Sequence, residues 1–318
     1  MLLIAVIAVL LVVNLLLLFL LFRPDQVLTA RPTDQAPGDG ASPTATSSPT
    51  TISASGDQAA SANPDASTDP TPSRNTLEAV PVERLLLAMS SEMAWRVTVG
   101  DCNTPGEIER SVNGGASWKR IVRTGPAPIV MLGLEPSGDV FTIGGTGGSC
   151  SVRYVAYAGD GTVAASTTSA VNVWFPSPNN RDEISGPGGI KATPCNDHAI
   201  GLAPFDSTRA LVVCEDGDVM NTRNLGRTWR QVARIPNTLA VAVGSGRYWV
   251  AGVREGCDGV AVQSLTENNG SLTRGRTRCA PGLAVAGGQV AIDVTGGTIW
   301  LWSGSTTVIS TDDGETWR

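Results

Sequence analysis

The stretch Ser111-Val-Asn113-Gly-Gly115-Ala-Ser117-Trp118 returns, altered, as Thr222-Arg-Asn224-Leu-Gly226-Arg-Thr228-Trp229 and as Ser310-Thr-Asp312-Asp-Gly314-Glu-Thr316-Trp317. All three read Ser/Thr, any residue, Asp/Asn, any, Gly, any, Ser/Thr, Trp. Each constrained position has a physical use. An Asp or Asn side chain accepts from backbone N–H groups two residues on and stabilises a turn. Gly takes a positive φ at no steric cost. The flanking hydroxyls bond turn backbone, and the Trp buries a large flat surface where the chain leaves on a strand. The octapeptide therefore predicts a tight β-hairpin closed by its own side chains and pinned at its exit by an aromatic.

Outward from these stretches, residues 80–318 alternate short apolar runs with turn signals. Residues 85–89, 94–99, 129–132, 139–143, 210–213, 248–251 and 298–302 read as strands. Asn113-Gly114, Asp160-Gly161, Asp216-Gly217 and Asn269-Gly270 read as hairpin turns. A strand about every ten residues indicates an all-β fold of repeated small sheets. The octapeptide starts lie 111 and 88 residues apart, and 88 is two units of 44. Propeller blades run about 40–45 residues. The expected fold is a β-propeller of five to seven blades. Blades are assigned at 84–124, 125–168, 197–236, 237–280 and 281–318, with a worn octapeptide at Tyr157-Ala-Gly-Asp160-Gly161-Thr162. Residues 169–196 are either a long insertion or a degenerate further blade. Because the last octapeptide ends at Trp317, the outer strand of that blade needs a donor, and residues 77–82 are the candidates.

The octapeptide resembles the Asp-box, or BNR, repeat found in sialidases and in photosystem assembly factors. The resemblance covers residues 80–318. The matching positions are Ser111, Asn113, Gly115, Ser117 and Trp118; Thr222, Asn224, Gly226, Thr228 and Trp229; and Ser310, Asp312, Gly314, Thr316 and Trp317. It implies a propeller whose boxes sit on hairpins at the blade periphery, away from the central site. Such a box identifies a blade and not a chemistry.

Residues 2–22 are apolar except Asn14, long enough at roughly 31 Å of helix to span a bilayer core. Phe22 runs straight into Arg23-Pro24 without a small-residue cleavage site, so residues 1–23 read as an uncleaved single-pass signal anchor. Arg23 and Arg31 follow the segment and no basic residue precedes it, which by itself would keep the C-terminal domain inside. The cysteines, the linker chemistry and the domain size favour the extracytoplasmic side. Residues 24–79 are Pro, Ser, Thr, Ala, Asp and Gly rich and read as a disordered tether, with an end-to-end distance of about 40 Å as a coil.

All six cysteines lie in the β region, an even count behind a membrane-targeting segment. Of the 15 pairings, the sequential one is expected: Cys102–Cys150 between neighbouring blades, Cys195–Cys214 and Cys257–Cys279. Zinc is disfavoured, since no Cys-x-x-Cys occurs and His198 is the one histidine. Glu215-Asp216-Gly217-Asp218 carries oxygen ligands suited to calcium, but reads better as a solvated hairpin turn. Neither a metal nor a cofactor is expected.

The net charge is −6, and residues 79–318 hold 20 Lys/Arg against 22 Asp/Glu, so the broad basic footprint of a nucleic-acid binder is missing. Thr273-Arg-Gly-Arg-Thr-Arg278 is the exception. Alternation along a strand would display Arg274, Arg276 and Arg278 in one row, able to grip a carboxylate, phosphate or acidic surface. The competing use is a charged edge that blocks aggregation. A sialidase would need an arginine triad, a Tyr–Glu pair and an Asp acid. Here Arg234-Ile235-Pro236 stands after the second box rather than before the first, and Tyr154, Tyr157 and Tyr248 lack the family's context. Asp182-Glu183 and Asp312-Asp313 read as loop and turn residues. The functional expectation is a membrane-anchored, extracytoplasmic, non-enzymatic protein-binding or assembly module. The second reading is a carbohydrate or cell-wall binder, for which Trp174 would be an exposed loop-tip aromatic. A sialidase-like hydrolase comes third.

Overall fold

The computed structural model describes residues 81–121, 126–168, 170, 172–268 and 270–318. The anchor, the tether and Asn269 lie outside the described residues. Among those described there are strands and no helix, arranged as six antiparallel sheets in chain order. Blade 1 is β1 (Arg84–Ala88), β2 (Ala94–Thr98), β3 (Glu107–Ser111) and β4 (Lys119–Arg120). Blade 2 is β5 (Ile129–Leu134), β6 (Val140–Gly144), β7 (Arg153–Tyr157) and β8 (Val163–Thr167). Blade 3 has three short strands, β9 (Phe175–Pro176), β10 (Glu183–Gly186) and β11 (Gly189–Ala192). Blade 4 is β12 (Ala199–Pro204), β13 (Ala210–Cys214), β14 (Asp218–Thr222) and β15 (Arg230–Arg234). Blade 5 is β16 (Thr238–Gly244), β17 (Arg247–Gly252), β18 (Gly259–Asn268) and β19 (Ser271–Pro281). Blade 6 is β20 (Val290–Thr295), β21 (Thr298–Ser303) and β22 (Thr306–Ser310). The five assigned blades stand, and residues 169–196 supply the sixth rather than an insertion.

Packing closes the six sheets into a propeller. Apolar side chains on each sheet face meet those of the next sheet, giving one core per interface. Trp95, Ile108, Ile129 and Val155 join blades 1 and 2. Phe141, Ile143 and Phe175 join blades 2 and 3. Trp174, Ile184 and Val212 join blades 3 and 4. Leu211, Val219, Tyr248 and Leu265 join blades 4 and 5, and Trp249, Val262, Ile292 and Leu301 join blades 5 and 6. Leu86, Ala94, Trp300 and Trp302 join blade 6 back to blade 1. A second strand such as β13 or β21 is sandwiched between two such cores. Every residue of each is buried, hence their unbroken apolar runs.

Of the segment expected to lend an outer strand, only residues 81 and 82 are described. Pro81 and Glu83 run beside Gly288, where Glu83 N–H donates to the Gly288 carbonyl at 2.9 Å, at the inner start of blade 6 and not at its outer edge. Residues 77–80 lie outside the described residues. Among the described residues the seam is also held by side chains. Trp300 Nε1–H donates to Ser90 O at 2.8 Å, and Ala88 N–H donates to Asp293 Oδ2 at 2.7 Å. Arg84 donates to Gln289 O at 3.2 Å. The outer edge of β22 is met by Arg318, whose backbone exchanges bonds of 3.0 and 3.1 Å with Ile309.

Up-and-down sheets put the first-to-second and third-to-fourth connections on one face of the ring and the remaining connections on the other. The octapeptides follow third strands β3, β14 and β22, so they share the first face.

Candidate functional site

The three octapeptides make one bonding pattern. The leading hydroxyl accepts from the Gly N–H four residues on: Gly115 to Ser111 Oγ at 2.9 Å, Gly226 to Thr222 Oγ1 at 3.1 Å, Gly314 to Ser310 Oγ at 2.8 Å. The Asn/Asp Oδ1 accepts from the backbone of Ser117, Thr228 or Thr316 at 3.0, 3.0 and 2.9 Å. That acceptor therefore serves a donor four residues on, not two. The reason is a pair of consecutive left-handed residues between them: Gly114 and Gly115, Leu225 and Gly226, Asp313 and Gly314. The second atom of the Asn/Asp then meets the closing hydroxyl. In the third copy Thr316 Oγ1 donates to Asp312 Oδ2 at 2.6 Å. The bonds from Thr316 and Ser310 hold the Asp312 carboxyl down at about 2.

Each octapeptide also reaches back onto the preceding blade. Trp118 of blade 1 meets Trp300 of blade 6 edge-on at 6.2 Å, and Trp229 of blade 4 meets Trp174 of blade 3 at 6.1 Å. Trp317 of blade 6 packs on the core shared with blade 5. The Gly is part of this approach: a Cβ on Gly226 would lie 3.1 Å from Trp174, and one on Gly115 would lie 3.3 Å from Trp300. At the seam the aromatics alternate with guanidinium groups. Arg84 lies 4.5 Å from the Trp302 ring, and Arg96 lies between Trp302 at 4.7 Å and Trp118 at 4.2 Å. Arg96 also pairs with Glu109 at 2.7 Å. Asp293, on innermost strand β20, is partly reached by solvent yet walled by protein. That burial pushes its carboxyl up to about 7, against the lowering effect of the bonds from Ala88 and Val294.

Arg274, Arg276 and Arg278 do not form a row. A bulge shifts the β18–β19 register, so Arg274 opposes Leu265 while Arg278 opposes Val262. Leu265 faces blade 4 and Val262 faces blade 6. Accordingly, Arg274 donates to the Arg234 carbonyl of blade 4, and Arg278 pairs with Glu315 of blade 6. One extra residue in the strand reverses its alternation.

The cysteines pair as Cys102–Cys150, Cys195–Cys214 and Cys257–Cys279, with Cα–Cα separations of 5.4, 5.5 and 5.5 Å. All six stand at second-to-third loops or blade-to-blade ends. The cystines therefore fasten the face opposite the octapeptides.

Trp174 is buried, with Nε1–H donating to Asp206 O at 3.0 Å, so it is no loop-tip aromatic. Arg234 lies against Asp216 and Asp218 at 3.8 and 3.6 Å, which turns those carboxylates towards a guanidinium rather than a shared cation. Among the described residues, no three His, Cys, Asp or Glu side chains converge. Asp182 instead meets His198 at 2.8 Å. One Tyr–Glu pair forms that sequence spacing did not indicate: Tyr154 donates its hydroxyl to Glu135 from across blade 2. Burial and the Glu135 carboxylate push that phenol above its ordinary value, which disfavours the phenolate a nucleophile needs.

A shallow cleft of about 430 Å³ lies between blades 4 and 5, beside the second octapeptide. Its lining includes Asn221, Arg223, Trp229 and Arg230 of blade 4 and Gly270 of blade 5. Asn221 is only 5% exposed and its Nδ2 has no partner. Arg223 pairs with Glu267 at 2.7 Å, whereas Arg230 has no ion pair among the described residues. Asn224 and Thr228 spend their polar atoms inside the octapeptide, on each other and on Thr222. The capacity left over is donor capacity, suited to carboxylates or carbonyls. Sequence reading missed this cleft because Asn221 and Gly270 come from different blades.

No family model and no curated protein matches this chain. Similar folds occur among solved structures. YCF48 bound to D1 peptide is 14% identical over 77% of this chain and 84% of that one, with a TM-score of 0.39. A mutant Aleuria aurantia lectin in complex with Fucalpha1-6GlcNAc is 12% identical over 76% and 96%, at 0.48. A candidate 6-phosphogluconolactonase from Bacteroides fragilis is 11% identical over 75% and 86%, at 0.39. Each of these three scores is below 0.5, so function is argued from this chain's own groups.

Proposed function

We propose that this protein is a non-enzymatic binding module, a propeller of Asp-box blades carried on the outer side of a cell membrane by residues 1–23 and the tether 24–79. The observation that carries the binding reading is the donor-lined cleft between blades 4 and 5. There the nine-tenths buried Asn221 Nδ2 stands without a partner, beside an exposed Arg230 guanidinium that has no ion pair among the described residues. An unsatisfied buried donor such as Asn221 Nδ2 costs about 1–3 kcal/mol, a cost a ligand would remove. The ligand is a protein segment presenting carboxylate or carbonyl oxygens. Three cystines favour an oxidising compartment and hence the extracytoplasmic side. The repeated hairpin bonds support the Asp-box identity of the octapeptides. Burial of Trp174 weakens the carbohydrate reading.

The test is chemical crosslinking of the tagged full-length protein in its own membranes, with mass spectrometry of captured partners. A version lacking residues 80–318 and an Arg230→Ala version serve for comparison. A protein captured in near-stoichiometric amount only when the propeller is present, and weakened in Arg230→Ala, is the expected result. Propeller-dependent capture of glycan alone would move the assignment to a wall or carbohydrate ligand.

A further inference from the structure

The cleft between blades 4 and 5 has a defined charge. In the β14–β15 register Asn221 stands directly opposite Arg230, so the two side chains leave the sheet on one face. Val219, two residues before Asn221 on β14, packs into the core shared with blade 5, which fixes that face as the one turned to blade 5. Asn221 brings its buried, unpartnered Nδ2. Trp229, which also lines the cleft, has a buried Nε1 without a partner. Arg230 is exposed, and its Nη1 lies 3.5 Å from where a Cβ on Gly270 would stand, so it reaches across to the blade 5 hairpin. Arg223 lines the cleft too, but Glu267 of blade 5 already accepts from its Nε at 2.9 Å and meets its Nη2 at 2.7 Å on the same oxygen. That Glu267 side chain is only 10% exposed. Arg227, in the same hairpin, lines no part of the cleft. Two guanidinium groups and one carboxylate leave a single positive charge unmatched.

We infer that the cleft takes one carboxylate of an acidic protein segment, held between Arg230 and Asn221, and that Glu267 sets this single-charge limit by already occupying Arg223. The inference rests on the binding reading above and narrows its ligand. Bonds to an ionised group are roughly twice as strong as neutral ones, which favours a carboxylate over a carbonyl at the unmatched Arg230. A guanidinium fork can hold both carboxylate oxygens, and the neighbouring Asn221 Nδ2 has a hydrogen to give to one of them. A phosphate monoester brings up to about two charges. Its second charge would find no free cation in the cleft and would face the Glu267 carboxylate instead. Glu267 thus acts as a built-in first ligand, and the guest supplies the second.

The experiment titrates short peptides into the isotope-labelled full-length chain in detergent micelles at about pH 7.5, where a phosphate monoester carries close to two charges. The probes are N-acetyl-Ala-Glu-Ala-amide, its Gln counterpart and its phosphoserine counterpart, together with N-acetyl-Ala-Ala-Ala, whose one carboxylate is at the chain end. Dissociation constants are read from magnetic-resonance shifts of the Asn221 side-chain amide, whose signal is assigned by its loss in Asn221→Ser. The Glu peptide is expected to bind about tenfold tighter than the Gln and phosphoserine peptides, a preference of about 1.4 kcal/mol. Arg230→Ala is expected to erase the preference for Glu over Gln. Glu267→Gln, which keeps an acceptor for Arg223, is expected to tighten the phosphoserine peptide about tenfold and the Glu peptide much less. If Glu267→Gln fails to fold, the wild-type ratios decide alone. Binding of the chain-end carboxylate as tight as that of the Glu peptide supports the proposal and names the terminus as the source. A Gln peptide that binds as tightly as the Glu peptide overturns the proposal but leaves the protein-binding reading in its carbonyl form, which the crosslinking above decides. No shift with any peptide, a phosphoserine peptide that already matches Glu in the wild type, or a phosphoserine affinity unmoved in folded Glu267→Gln also overturns it.

Discussion

Gly226 shows how much one residue is asked to do. Its φ of 73° suits glycine, and its α-carbon stands where a side chain would press on Trp174. Gly226→Ala is therefore expected to lose about 1–3 kcal/mol of stability, read as a lower urea midpoint at unchanged slope. Asp293 makes a second prediction. A carboxyl raised to about 7 in the folded state against an ordinary 3.8 means the native state holds its proton more tightly than the unfolded chain. Stability is then highest below pH 4 on this account and falls as pH rises through the window from about 4 to 7. Asp293→Asn keeps the Ala88 bond and is expected to flatten that slope in unfolding measured across the window. Asp312 has the opposite sign. Its depressed carboxyl stabilises the fold above about pH 4, and the contribution fades as pH drops towards 2.

At the scale of elements, the hairpins were legible and the strand faces were not. The order of hydroxyl, amide or carboxylate, Gly, hydroxyl and Trp within eight residues is enough to write a turn, because every partner is within reach of the same short chain. β19 is the counterexample. Its alternation reads Arg274, Arg276, Arg278, but the bulge opposite Ser264 turns Arg278 towards blade 6 and Arg274 towards blade 4. A bulge is a response to the partner strand, and nothing in the Thr-Arg-Gly-Arg-Thr-Arg run other than Gly275 marks it. The cystines belong to this scale too. They close loops of 48, 19 and 22 residues, each worth roughly 3–4 kcal/mol in the chain-entropy model. Reduction is expected to lower the melting temperature sharply. Cys257→Ala/Cys279→Ala, confined to blade 5, is expected to cost less than Cys102→Ala/Cys150→Ala, which unfastens two blades.

For the whole molecule, the seam between blades 6 and 1 is the join that closes the ring. It joins segments more than 200 residues apart in the chain, as in the Trp300–Ser90 and Ala88–Asp293 bonds. Among the described residues it does so with tryptophans, guanidinium groups and one carboxyl. Trp300 is fully buried there, under Trp118 and over the Gly115 turn. Trp300→Ala is expected to cost about 3–5 kcal/mol, and hydrogen exchange should show the lost protection first in β1 and β20–β22. A uniform loss of protection over all six blades would instead mean that the ring opens as one unit.

The amino-acid sequence by itself determined the blade. Three hairpins, the apolar second strands, the 44-residue spacing and the cysteine pairs all depend on residues that are near one another or simply even in number. Only the tertiary structure decided that residues 169–196 complete a ring of six. It also decided that the ring closes through Trp300 and Asp293, that Trp174 is buried, and that Asn221 and Arg230 face a cleft. The physical reason is the same in each case. Bonds inside a hairpin are set by residue order, whereas a contact between blades depends on which sheets become neighbours and on the register at which their strands arrive.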